Sequence, residues 1–202
     1  LQDNTGVFAG AFFHDYPTLG VWPDGYYMSA NMFEAVGSGF GVRLWGINKT
    51  PLLTGGPLQE VHFDLCLDGS CGSFLPSNLR GTAPPAGAPN YFAQISAQGS
   101  LDIYRFDADF VTPANSTLTG PISAPIAPYN LYNDAIPQPG TAQGLDSLSD
   151  RLMMQLQYRN MGAHQSLWAT HTVDEGGLAV ARWYEVRDPG GTPTLFQQGS
   201  IN

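Results

Sequence analysis

Positive charge is scarce in this chain. Of 202 residues, one is lysine and seven are arginine, against seventeen acidic residues, for a formal net charge of −9. Neutralising a phosphate backbone takes clustered Lys and Arg, and there is no such cluster, so nucleic acid is excluded as a partner and an anionic membrane surface is disfavoured. Charge of either sign is low, at 12% against about 25% in ordinary globular domains. No apolar run approaches the roughly 18 residues of a membrane-spanning helix. A Gly-x-Ser-x-Gly nucleophile elbow, a phosphate loop and a dinucleotide fingerprint are all absent. The chain opens at Leu1 without a signal-peptide pattern, which reads as a processed product or as part of a longer chain.

Turn formers are plentiful. Glycine (24) and proline (16) sit among 43% hydrophobic residues, enough for a core but ill suited to long helices. The two cysteines lie in Cys66-Leu67-Asp68-Gly69-Ser70-Cys71, where Asp-Gly marks a tight turn that brings the sulfurs within disulfide reach. A disulfide here implies an oxidising compartment, so a secreted or cell-surface protein. The sequons at Asn48 and Asn115 matter only in a eukaryotic secretory host. Alternation with period two predicts strands over 25–33, 39–48, 90–97, 101–110, 152–158, 165–173, 178–187 and 194–199. Residues 152–158 are rich in Met, Gln and Leu, which favour helix, but they alternate and are followed closely by further strands. Residues 76–89 and 112–149 read as long proline-rich loops or outer-edge connectors.

An internal repeat runs through these strands. Tyr26-Tyr27, Tyr91-Phe92 and Leu167-Trp168 open successive units. Arg43-Leu44-Trp45, Tyr104-Arg105-Phe106 and Arg182-Trp183-Tyr184 follow on the next strand of each. The units are spaced by 65 and 76 residues, a period that suits four-stranded antiparallel blades of a β-propeller. The expected fold is all-β, with blade units 13–75, 76–145 and 146–202 in a single propeller region. Three blades fall short of the usual four to eight, so the chain reads as a fragment of a larger propeller, with a smaller sandwich as the alternative. The recurring Arg43, Arg105 and Arg182 are expected to pair with acids of neighbouring blades.

Residues entering the first strand of each blade would ring the mouth of a central channel. The three entries place Asp24, Asn90 and His164 there, and converging polar groups in a concavity make a candidate site. The richest stretch runs from His14-Asp15-Tyr16-Pro17 to Trp22-Pro23-Asp24. Aromatic rings stack on sugars and paired carboxylates suit glycosidic acid/base chemistry. Asp15, Asp24 and His164 are therefore the candidate catalytic residues, and His14, Trp22, Asn90 and Gln165 candidate binding residues. His164 and His171, an odd seven residues apart, face opposite sides of a strand and make a poor metal pair. Asp107, Asp109, Asp146 and Asp150 could supply oxygens to Ca²⁺, though no loop matches a calcium spacing, and no other cofactor is expected.

The segments DYPTLGVWPDGYYM (15–28), LDSLSDRLM (145–153), YRNMGAHQSL (158–167) and RWYEVR (182–187) resemble a family of large, secreted, uncharacterised bacterial proteins. The likeness spans 13–198. It implies a sialidase-like β-propeller continuing into further strands, and a position, Gln165, where relatives often carry Glu. Function is then expected to be recognition or structural assembly on an extracellular protein, with a glycan or another surface protein as partner. The alternatives are a glycoside hydrolase or lyase using the carboxylate pair, and a filament or surface-layer subunit.

Overall fold

The period-two pattern becomes strand throughout a computed structural model that describes residues 12–35, 40–96 and 99–201. The described strands are β1 (Phe12–Val21), β2 (Gly25–Glu34), β3 (Phe40–Asn48), β4 (Glu60–Leu65), β5 (Leu75–Leu79) and β6 (Asn90–Ser96), then β7 (Ser100–Asp107), β8 (Thr117–Pro125), β9 (Met153–Asn160), β10 (Gln165–Glu175), β11 (Leu178–Arg187) and β12 (Thr194–Ile201). One short helix, α1 (Lys49–Thr54), follows β3; the Asn48 side chain caps its start and left-handed Gly55 its end.

Strands β1 to β4 form an antiparallel sheet in chain order, and the other eight form one curled sheet in the order β12-β11-β10-β9-β5-β6-β7-β8. The larger sheet is itself two meanders, β5 to β8 and β9 to β12, joined where 77–79 run parallel to 156–158. The chain therefore makes three successive four-stranded meanders.

Each expected strand is present; Gly39 and Ala97, at the ends of two of them, lie outside the described residues. Residues 153–158 fall in β9, because pairing with β10 on one side and β5 on the other outweighs their helix propensity, and Leu152 leads into the strand. Four strands went unread: β1, β4, β5 and β8. Two of them correct the loop assignments at 76–89 and 112–149. In β8, Pro121 and Pro125 are tolerated because the strand is at the sheet edge. In β5 the chain changes partner at proline: Leu75 and Pro76 pair with β6, and Ser77 onward with β9. There the Ser77 hydroxyl accepts the Tyr91 N–H at 3.0 Å, in place of a backbone carbonyl.

Within each unit the strand order shifts by one place. The strands that carry Tyr26, Tyr91 and Leu167 are second in their meanders, and β1, β5 and β9 come first. These first strands gather. Gly20 of β1 packs so closely on β5 that a Cβ there would come 2.5 Å from the Ser77 carbonyl oxygen. The Val21 N–H donates to Asn78 Oδ1 at 3.0 Å, and the Tyr16 hydroxyl donates to the Leu152 carbonyl of the segment entering β9 at 2.9 Å. The main core fills the space between the sheets with Trp22, Tyr27, Leu44, Phe92, Phe106 and Tyr158 among others, and a smaller cluster around Trp45 covers the opposite face of β2 and β3.

The repeated arginines do not pair with neighbouring acids as expected. Buried Arg43 forms a two-pronged bond to Asp64, its own cross-strand partner on β4, at 2.6 and 2.9 Å. Arg105 reaches the Pro189 and Gly191 carbonyls of the third meander. Arg182 bonds Glu175 at 2.9 Å and the Pro128 carbonyl at 3.1 Å.

The close approach of β1 to β5 is testable. Gly20→Ala is expected to lower unfolding free energy by about 1–3 kcal/mol in denaturant titration, since the clash is with backbone. Leu19→Ala, on the exposed face of the same strand, should stay within about 0.5 kcal/mol.

Candidate functional site

Residues from the three strand entries come together on a solid aromatic hub. Trp22, in the β1–β2 turn, donates its indole N–H to the Ala88 carbonyl at 3.0 Å, ahead of β6. Its ring meets Tyr158 edge-on at 4.8 Å and Tyr91 edge-on at 6.0 Å, and Tyr91 and Tyr158 stack at 6.0 Å. The Tyr158 hydroxyl donates to Gln165 Oε1 at 2.6 Å, at the start of β10. All three rings are buried.

The polar residues expected around one mouth have separate surroundings. Asp24 is exposed and accepts the Tyr27 hydroxyl at 3.0 Å. Burial first, and the Asp24 carboxylate second, push the Tyr27 phenol well above its ordinary value, so it stays a donor. Asn90 is fully buried and donates to the Ser77 carbonyl at 3.0 Å. His164 lies on a separate cleft of about 390 Å³, with Gln165, Pro85 and Arg187.

Asp15 and Asp24 do not form a carboxylate pair. Asp15 sits opposite Asn31, whereas Asp24 adjoins Gly25 at the other end of the hairpin. Six residues of extended strand separate those levels, roughly 20 Å, well beyond the roughly 5–10 Å of glycosidase carboxyls. His14 packs edge-on against Trp45 at 5.6 Å. Among the described residues, no group of three or more His, Cys, Asp or Glu could hold a metal ion. Asp109 caps the Val111 and Thr112 N–H groups, Asp146 caps that of Leu148, and Asp150 pairs with Arg151 at 2.9 Å.

Glu185 is the most enclosed carboxylate beside the His164 cleft. It is 2% exposed and accepts from Ser166 Oγ at 2.7 Å, Arg187 Nε at 2.8 Å and Gln197 Nε2 at 2.7 Å, with His164 Nε2 at 3.8 Å. Burial works to raise its pKa, but the bonds from Arg187, Ser166 and Gln197 outweigh burial and hold the carboxyl below its ordinary value. A second cleft, of about 540 Å³, runs between the disulfide loop and Tyr129 and is lined by Gln94, Asp102 and Asp150. The disulfide joins Cys66 and Cys71 with their Cα atoms 5.7 Å apart, across a turn in which the Gly69 N–H reaches the Cys66 carbonyl at 2.9 Å.

Glu185 and two outward-facing tryptophans, Trp168 and Trp183, are not among the expected site residues; the indoles enter the sequence analysis only as markers of the repeat. The signal was available. Leu167, Ala169 and Val173 alternate inward on β10, which turns Trp168 outward. No family model matches the chain, and comparison with curated proteins and with solved structures found no match.

His171 shows what burial does to a titrating group here. Its Nε2 lies 2.7 Å from the Tyr184 hydroxyl and its Nδ1 3.4 Å from the Ser149 carbonyl. Burial, with help from the Arg182 charge, lowers its pKa to about 4 against the pull of that carbonyl. The folded chain refuses a proton that the unfolded chain takes up near pH 6.5, so stability present above that pH is lost as pH falls toward 4. Unfolding titrations should show a loss of about 2 kcal/mol between about pH 7 and 5. The same loss in His171→Gln would assign it elsewhere.

Proposed function

We propose that this chain is a recognition module of an extracytoplasmic β-propeller protein, holding a partner on its surface without transforming it. Three consecutive four-stranded meanders with gathered first strands support the propeller reading. Three such units leave room for further blades from a longer chain. The formed disulfide favours an oxidising compartment. Among the described residues, no helix is long and apolar enough to cross a membrane.

The observation that carries the non-catalytic reading is the hub. An enzyme working where the three meanders meet needs an open pocket holding a pair of carboxyls. Trp22, Tyr91 and Tyr158 fill that place, and Asp15 and Asp24 stand at opposite ends of a hairpin. Gln165, where a Glu would supply an acid, is an amide bonded to Tyr158.

Incubation with a panel of chromogenic glycosides and polysaccharides should release no more product than the Asp15→Asn/Asp24→Asn double variant does. Turnover that this double variant abolishes would overturn the reading.

A further inference from the structure

The third meander carries two indoles on the face turned away from the core. Trp168 and Trp183 are partly exposed, while Leu167, Ala169, Val180 and Tyr184 point the other way, and neither tryptophan belongs to an apolar cluster. Their rings lie 5.9 Å apart with planes inclined at 28°. The Trp183 indole occupies the space above Gly199 of β12, where a Cβ would come 3.0 Å from its Cζ2 and Nε1. The missing side chain is what seats that ring.

Polar groups flank the pair in register. Reading across the strands, Asn78 pairs with Gln157, Gln157 with Trp168, Trp168 with Glu185, and Glu185 with Gln197. Directly opposed residues share a face. Thr170, exposed, lies opposite Trp183. The charge of Glu185 is matched by Arg187, whose guanidinium also rests over the Phe196 ring at 3.2 Å. The centre of the face is therefore electrically balanced, with amides and a hydroxyl that both donate and accept.

We propose that this face binds a neutral glycan, with pyranose rings packed on Trp168 and Trp183 and their hydroxyls bonded to Gln157, Thr170 and Gln197. A pyranose ring offers a C–H face that suits the electron-rich face of an indole, and rim hydroxyls that suit amides. Nucleic acid is disfavoured by the net charge of −9. Around the rings the face alternates with Gln157, Thr170, Glu185 and Gln197, and exposed Ala181 and Ile201 continue it at one end, so its centre suits a polyhydroxylated ligand better than an apolar protein surface. The proposal rests on the recognition reading above and specifies its ligand and surface.

The test is binding of the purified chain to a panel of neutral polysaccharides and their oligosaccharides, followed by calorimetry and tryptophan fluorescence. Wild type should bind at least one, with a shift in emission and little dependence on salt. Trp168→Ala and Trp183→Ala should each weaken association by roughly tenfold or more, with the unfolding midpoint unchanged. Gly199→Ala, which displaces the Trp183 ring, should weaken it as well. Binding that survives both tryptophan variants overturns the platform and leaves the recognition reading standing, as does failure of every neutral glycan to bind. Cleavage of a bound glycan overturns the recognition reading and leaves the platform to be judged by the tryptophan variants.

Discussion

Trp22 touches all three meanders. Its backbone belongs to the first, its N–H bonds the carbonyl that leads into the second, and its ring meets Tyr158 of the third. A buried indole must satisfy its one donor, and an indole in a three-way junction is held only when three partners agree on its position. Around this contact β5 changes partner, β1 closes on β5 without a side chain at Gly20, and the entries to β6 and β10 are fixed. The same packing closes the place where a central pocket would have formed. One cluster thus positions elements of all three meanders.

That outer surface follows from alternation. Once Leu167, Ala169 and Tyr184 are committed to the core, strand geometry turns Trp168, Trp183 and Glu185 outward. Glu185 keeps its charge because Arg187, Ser166 and Gln197 supply the bonds that burial removes. Asp64, Asp150, Glu175 and Glu185 likewise pair with arginines, and Asp109 and Asp146 accept backbone N–H groups.

Much of the strand content was legible because β10 and β11 alternate, while β2, β3, β6 and β7 are rich in aromatic and apolar residues that repeat along the chain. The Arg-aromatic triplets place Arg43, Arg105 and Arg182 on corresponding strands of three meanders. Strands β5 and β8 were hidden by proline, since a local rule cannot see that a strand switches neighbours at Pro76 or lies at an edge at Pro121. Missing β1 and β5 displaced the strand entries of the first two units, and in the third the entry to β10 rather than β9 was taken as the first, which displaced the expected mouth. Asn90 illustrates the cost: polar and next to a strand, it reads as a site residue, yet its amide serves to bond Ser77 in the interior. A sequence lists polar residues without showing which have been used for folding.

Amide hydrogen exchange on Trp22→Phe tests the junction most directly, because this change removes the N–H bond to Ala88 while keeping an aromatic ring. If Trp22 ties the three meanders together, protection should fall in β2, β6 and β9 alike, by about 1–3 kcal/mol in opening free energy. A loss confined to β1 to β4, with β6 and β9 as protected as in wild type, would contradict it.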